Sequence, residues 1–186
     1  MRRDARARAL AVRSTASVCA TLVALVCVPS TAAAYEDQAT LALEVGWAGI
    51  PSSSTLPRNG IDVGLSAGFG ITDAWGIQGV VSYNVFPDER RLQMGVAGLE
   101  AIYLLDIVRF VPLFGFGLDG MVSGRAHRTR GDFALHALVG FDYLISDRWL
   151  VGLAARGYWV ATNANSFLDP FIVTVAARVG VRFDTR

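Results

Sequence analysis

Eleven polar or ionisable residues share one side of the extended segments in which they lie: Glu44, Asp62, Gln78, Asn84, Glu100, Asp119, His136, Asp142, Arg156, Arg178 and Arg182. Residues of this kind support three chemistries. A hydrolase needs histidine with serine and an acid in hydrogen-bond reach. The chain has only two histidines: His127 sits among arginines in a polar segment, and His136 has no serine at matching height on the adjoining segments. Catalysis is not expected. Nor do two separated histidines make a metal site, so neither metal nor cofactor is expected. What remains is mutual pairing of acids and bases, and that depends on the elements that hold them.

Those elements alternate. From Ile61 to Ile71 every odd position is apolar and every even one is Gly, Ser or Asp. From Phe171 to Phe183 the odd positions Phe171, Val173, Val175, Ala177, Val179, Val181 and Phe183 oppose Thr174, Ala176, Arg178, Gly180 and Arg182. A period of two is that of a strand with unlike faces. Similar runs fall at about 39–49, 75–85, 92–104, 110–122, 133–144 and 149–160, which makes eight in all. Tilted membrane-crossing strands need roughly 9–11 residues, against about 5–6 in globular sheets, and these runs have the membrane length. The expected fold is all-β: a closed, eight-stranded, antiparallel up-and-down transmembrane β-barrel. No charge in the strand centres falls on the apolar face. That sorting is required where an exposed Arg or Lys near the bilayer midplane costs about 2–4 kcal/mol. Short joints at 72–74, 106–109 and 146–148 alternate with longer polar ones at 51–59, 86–91, 123–132 and 161–170. Tryptophans after the short joints, with Tyr103, Phe110 and Tyr143, are placed to anchor at the membrane–water boundary.

The first 34 of the 186 residues read differently. Arg2, Arg3, Arg6, Arg8 and Arg13 precede an apolar run from about Ala16 to Val28, and Thr31-Ala32-Ala33-Ala34 closes it. A basic start, a short apolar core and small residues form a secretory signal for the general export route, with cleavage expected after Ala34. Residues 35–186 are then the barrel domain. That part carries 12 arginines against 15 acids, so no basic excess points to nucleic acid. Cys19 and Cys27 both fall in the signal, so neither disulfide nor thiolate chemistry is expected beyond it.

The [Ser/Thr]-Asp-x-Trp turns at 72–75 and 146–149, the strand opening Phe110-Val111-Pro112-Leu113-Phe114-Gly115-Phe116-Gly117 and the aromatic-ended Ala177-Arg178-Val179-Gly180-Val181-Arg182-Phe183 carry a family likeness. Over essentially all of residues 35–186 the sequence resembles the small outer-membrane β-barrels, the group of the outer membrane protein A transmembrane domain and the X- and W-type barrels. The resemblance implies a bacterial outer-membrane location, surrounding lipid and lipopolysaccharide, and reading of the last strand, ending at Phe183, by the barrel-assembly machinery. A monomer is expected.

An eight-stranded barrel is just wide enough for side chains to fill, and buried charges must be paired. Glu44, Glu100, Arg156, Arg178, Asp119 and His136 are therefore expected to form an ionic plug. The first and last strands are neighbours, so Glu44 and Arg178 are expected to pair directly. Inward glycines (Gly64, Gly68, Gly70, Gly115, Gly117, Gly140, Gly152) leave room for water. The polar segment 123–132 is expected as an outer loop whose Arg125, Arg128 and Arg130 could meet lipopolysaccharide phosphates, since guanidinium matches phosphate in a two-point contact. Its Arg130-Gly131-Asp132 triplet is of a length that arises by chance. The expected role is non-enzymatic, in envelope integrity or surface interaction; the alternative is a narrow channel for small solutes or ions.

Overall fold

A computed structural model describes residues 38–51, 59–72, 74–87, 92–105, 109–125, 128–162 and 170–184. The expected signal segment 1–34, residue Asp73, most of the joints at 52–58, 88–91, 106–108 and 163–169, and His127 lie outside the described residues. Eight strands follow one another: β1 (Gln38–Gly49), β2 (Asn59–Gly70), β3 (Trp75–Phe86), β4 (Leu92–Leu104), β5 (Phe110–Arg125), β6 (Arg128–Leu144), β7 (Trp149–Val160) and β8 (Phe171–Asp184). Each pairs antiparallel with its sequence neighbours, and β1 closes the cylinder against β8 with Glu44 opposite Arg178.

Closure leaves no strand edge, so every central backbone group is paired without water, which a bilayer demands. Side chains then sort by parity. Leu99 is 70% exposed and Phe116 and Trp159 are 65% exposed, whereas Glu44, Glu100, Arg156 and Arg178 are buried at 1–2%. A water-soluble barrel has the opposite sorting. Here greasy side chains cover the outside and ionisable ones the inside, and the apolar surplus of the composition is a lipid-facing coat.

The two [Ser/Thr]-Asp-x-Trp turns share one construction. Thr72 Oγ1 accepts from the backbone N–H of Trp75 at 3.0 Å, and Ser146 Oγ accepts from that of Trp149 at 3.1 Å. In both, the isoleucine before the hydroxyl residue donates its N–H to the tryptophan carbonyl, at 2.8 Å for Ile71 and 3.0 Å for Ile145. The local hydroxyl replaces a longer loop. At the same end, Trp75 packs on Tyr103 and Phe110 on Phe141, each with ring centroids 5.1 Å apart, forming an aromatic rim.

At the long-joint end the expected loop 123–132 is mostly strand. β5 has 16 residues and β6 has 17, against 12–14 in the other six. Their ladder continues to Arg125 opposite Arg128. Arginine, glycine and threonine gave this stretch the composition of a loop. A backbone ladder above the bilayer is indifferent to that polarity, and the hairpin is braced at its base. Thr162 Oγ1 accepts from Phe133 N–H at 3.0 Å and donates to Asp132 Oδ1 at 3.1 Å.

Candidate functional site in the barrel lumen

The lumen has three layers. The middle one is built by side chains long enough to cross it. Arg156 on β7 reaches both Glu44 on β1 and Glu100 on β4: Nη1 donates to Glu44 Oε2 at 2.5 Å, Nη2 to Glu44 Oε1 at 3.3 Å and Glu100 Oε1 at 3.1 Å, and Nε to Glu100 Oε2 at 3.3 Å. All three guanidinium nitrogens end on carboxylates, the arrangement that compensates a buried cation. His136 on β6 extends the chain. Its Nε2 lies 2.7 Å from Glu100 Oε2 and its Nδ1 2.5 Å from Asp119 Oδ2, and its ring sits 5.4 Å from that of Tyr158. Ser66 donates to Glu44 Oε1 at 2.8 Å, and the Gln78 amide donates to Glu100.

The six residues expected to meet do share one interior, with Asp119, Glu100, His136, Arg156 and Glu44 in a continuous chain. The expected Glu44–Arg178 pair is present but long. The two are opposite in register, and Arg178 Nε stands 3.9 Å from Glu44 Oε1 and 3.4 Å from Asp142 Oδ1. Arg156 makes the closer contacts to the Glu44 carboxylate. Register sets which residues face each other, but arginine length lets a residue from β7 win. Gln78, Ser66, Asp142 and Tyr158 also belong to the site. Gln78 and Asp142 carried a legible signal, being polar residues of inward parity. Tyr158 did not, because an aromatic ring of inward parity reads as packing.

Gly117, expected to leave room for water, has a different use, shared by Gly98. A Cβ on Gly117 would strike the His136 ring, and one on Gly98 would strike the Asp119 carboxylate. The space they leave is filled by the charged chain itself rather than by water.

The layer toward the long joints is mostly apolar. Ala48, Phe86, Leu92, Met94, Val96, Met121, Ala134, Tyr158, Val160 and Ile172, from seven of the eight strands, pack with Ile50 into one buried cluster, with Asp62, Asn84 and Ser123 buried at the level of Met94. The interior is therefore not polar and salt-bridged throughout. In β4 the apolar face changes side along the strand: Leu92, Met94 and Val96 point inward and Leu99 outward. The parity of Glu100 shows which way each faces.

The layer toward the short turns is looser. A smaller apolar cluster of Ile102, Leu113, Leu138 and Ala154 lines one wall. Beside it lies a cavity of about 40 Å³ bordered by Gln38, Thr40, Gly68, Gln78, Asp142, Arg178 and Arg182 among others.

In the long hairpin, Arg125 and Arg128 are backbone partners in the β5–β6 ladder, and Arg130 Nε stands 3.5 Å from Asp132 Oδ1. At the other end Phe183, outward-facing on β8, pairs with Ala39, and Asp184 accepts from Gln38 at 3.2 Å.

A closed eight-stranded cylinder with a lipid-compatible exterior and a charge-filled core defines a small transmembrane β-barrel. The chain belongs to the outer membrane protein beta-barrel domain family, whose model matches residues 18–183, and it is a bacterial outer-membrane protein. It is similar in structure to Neisserial surface protein A, with 16% identity, a TM-score of 0.64, and 80% of this chain and 97% of that one covered. The N-terminal β-barrel domain of Pseudomonas aeruginosa OprF gives 15% identity, a TM-score of 0.55 and coverage of 80% and 98%. Ail, the attachment invasion locus protein of Yersinia pestis, gives 12% identity, a TM-score of 0.54 and coverage of 80% and 99%. A comparison with curated proteins gives no match. With the fold placed in its membrane, the short turns are the periplasmic end and the long joints the outer end.

Proposed function

We propose that this protein is a non-enzymatic outer-membrane barrel with a sealed lumen, serving envelope integrity or surface interaction rather than solute passage. The observation that carries the reading is the stacking of two filled layers, the Arg156-centred chain beneath the apolar outer cluster. A narrow conduit would have to part both. Apart from Asp62 this outer layer is filled mostly by uncharged side chains, and parting it would expose buried Phe86, Met94 and Met121 to water. Both His136 nitrogens are engaged by carboxylates, which leaves neither as a base for a hydroxyl nucleophile. The protein is read as a monomer, inserted through its C-terminal strand ending at Phe183.

The surface role would be served by the β5–β6 hairpin, which extends past the bilayer with Arg125, Arg128 and Arg130 near its tip. Its partner is read as lipopolysaccharide phosphate. A related precedent for anionic partners is that Ail has been crystallised with the heparin analogue sucrose octasulfate. Planar-bilayer recording of the purified protein tests the sealed lumen. The expected trace is flat; reproducible unitary steps that persist after further purification would replace this reading with the channel.

A further inference from the structure

The two arginines of the lumen differ in how their donors are used. Arg156 spends every nitrogen on carboxylates. Arg178 is 2% exposed, yet its one side-chain hydrogen bond runs from Nη2 to the Gln78 Oε1 at 3.4 Å. Its Nε and Nη1 have no hydrogen-bond acceptor. Asp142, at 3.4 Å from Nε, and Glu44, at 3.9 Å, are close enough to attract but not aligned to accept, and Asp142 Oδ1 likewise lacks a donor. A guanidinium has five N–H donors and cannot shed its charge, so a buried one with two unserved nitrogens calls for a further acceptor.

The place for that acceptor exists. Arg178 borders the periplasmic cavity of about 40 Å³, together with Arg182, Thr40 and Gln38. A cavity needs about 10–15 Å³ per water, so this one takes a few waters or one small ion. Arg178, Arg182 and Asp142 are its charged lining residues, with Glu44 3.9 Å behind Arg178 Nε. Above it lie the Arg156 chain and the apolar layer, so entry is from the periplasmic side.

We propose that this vestibule is a binding site for a small free oxyanion of inorganic phosphate size, held by the unserved donors of Arg178 and admitted from the periplasm. Guanidinium–oxyanion contacts are charge-assisted and directional, which favours an oxyanion over water. The inference goes beyond the sealed-barrel reading, since a site closed on its outer side can fill and empty without conducting.

The test uses the folded protein in a maltoside micelle, which carries no phosphate, titrated with inorganic phosphate and followed by 31P line broadening. Saturable broadening is expected, and Arg178→Gln should weaken it by about tenfold, the loss of a charge-assisted contact. Arg178→Gln risks misfolding, so Gly68→Val supplies an independent arm. A Cβ at Gly68 meets Gln78 Oε1 at 3.4 Å and nothing nearer, so valine occupies the vestibule beside Gln78, the partner of Arg178 Nη2, while keeping the Arg178 side chain itself. Loss of binding in Gly68→Val, with heat-modifiable migration unchanged, supports the site. Absence of saturable broadening in the unaltered protein means that water alone fills the cavity and overturns the proposal, as does undiminished binding in both variants. Tighter binding of glycerol phosphate than of inorganic phosphate would assign the site to a lipid headgroup and overturn the free-ion assignment.

Discussion

The outer and periplasmic halves of the lumen are made from the same eight strands and solve different problems. Toward the outer mouth, every guanidinium nitrogen of Arg156 meets a carboxylate, and Phe86, Leu92, Met94 and Met121 roof the chain beside buried Asp62, Asn84 and Ser123. Toward the periplasm, Arg178 faces a cavity with donors to spare. The inside of a narrow barrel is thus not uniform: one half is packed like a protein core and closes the cylinder, while the other keeps charge and space together. Inward charge alone does not make a pore, and what decides is whether each charge has its partners and what lies above it.

The contrast can be broken by substitution, and the effects should fall in order. Arg156→Ala strands Glu44 and Glu100, and removing one side of a buried pair costs about 3–5 kcal/mol; urea unfolding in lipid vesicles should show the largest loss. Met94→Ala opens a hole in the outer layer at about 2–5 kcal/mol, and Ile102→Ala beside the vestibule should sit at the low end of that range, because the looser wall can relax. If Ile102→Ala proved the costlier, the packing contrast would be wrong. Arg178→Ala removes a cation from Asp142 and Glu44 and the hydrogen bond to Gln78, and since Glu44 keeps Arg156 the loss should be about 1–3 kcal/mol. Arg125→Ala, on the projecting hairpin, should stay within about 0.5 kcal/mol, and equal stability of the Arg178→Ala and Arg125→Ala variants would remove the charged lumen from the account of stability.

Much of this was legible in the chain. Alternation at Ile61–Ile71 and Phe171–Phe183 gave the strands, the paired Thr72/Trp75 and Ser146/Trp149 motifs gave the tight turns, and the parity of Glu44, Glu100 and Arg178 gave the inward face. Three things were hidden for physical reasons. Neighbourhood across a ladder follows from register, but contact across a lumen depends on side-chain reach, so Arg156 shares the Glu44 carboxylate and leaves Arg178 the longer contact. The inward apolar layer was hidden because Leu92 and Leu99 both read as greasy, and only distance along β4 from Glu100 shows that they face opposite ways. The long hairpin was hidden because strand pairing outside the membrane leaves no hydrophobic alternation at Arg125–Arg130.

Equilibrium unfolding of Arg156→Ala beside Arg178→Ala, in the same vesicles, addresses most directly the claim that one fully partnered arginine holds the sealed half of the lumen together. The account predicts that Arg156→Ala loses clearly more stability than Arg178→Ala. Equal losses, or a greater loss for Arg178→Ala, would contradict it.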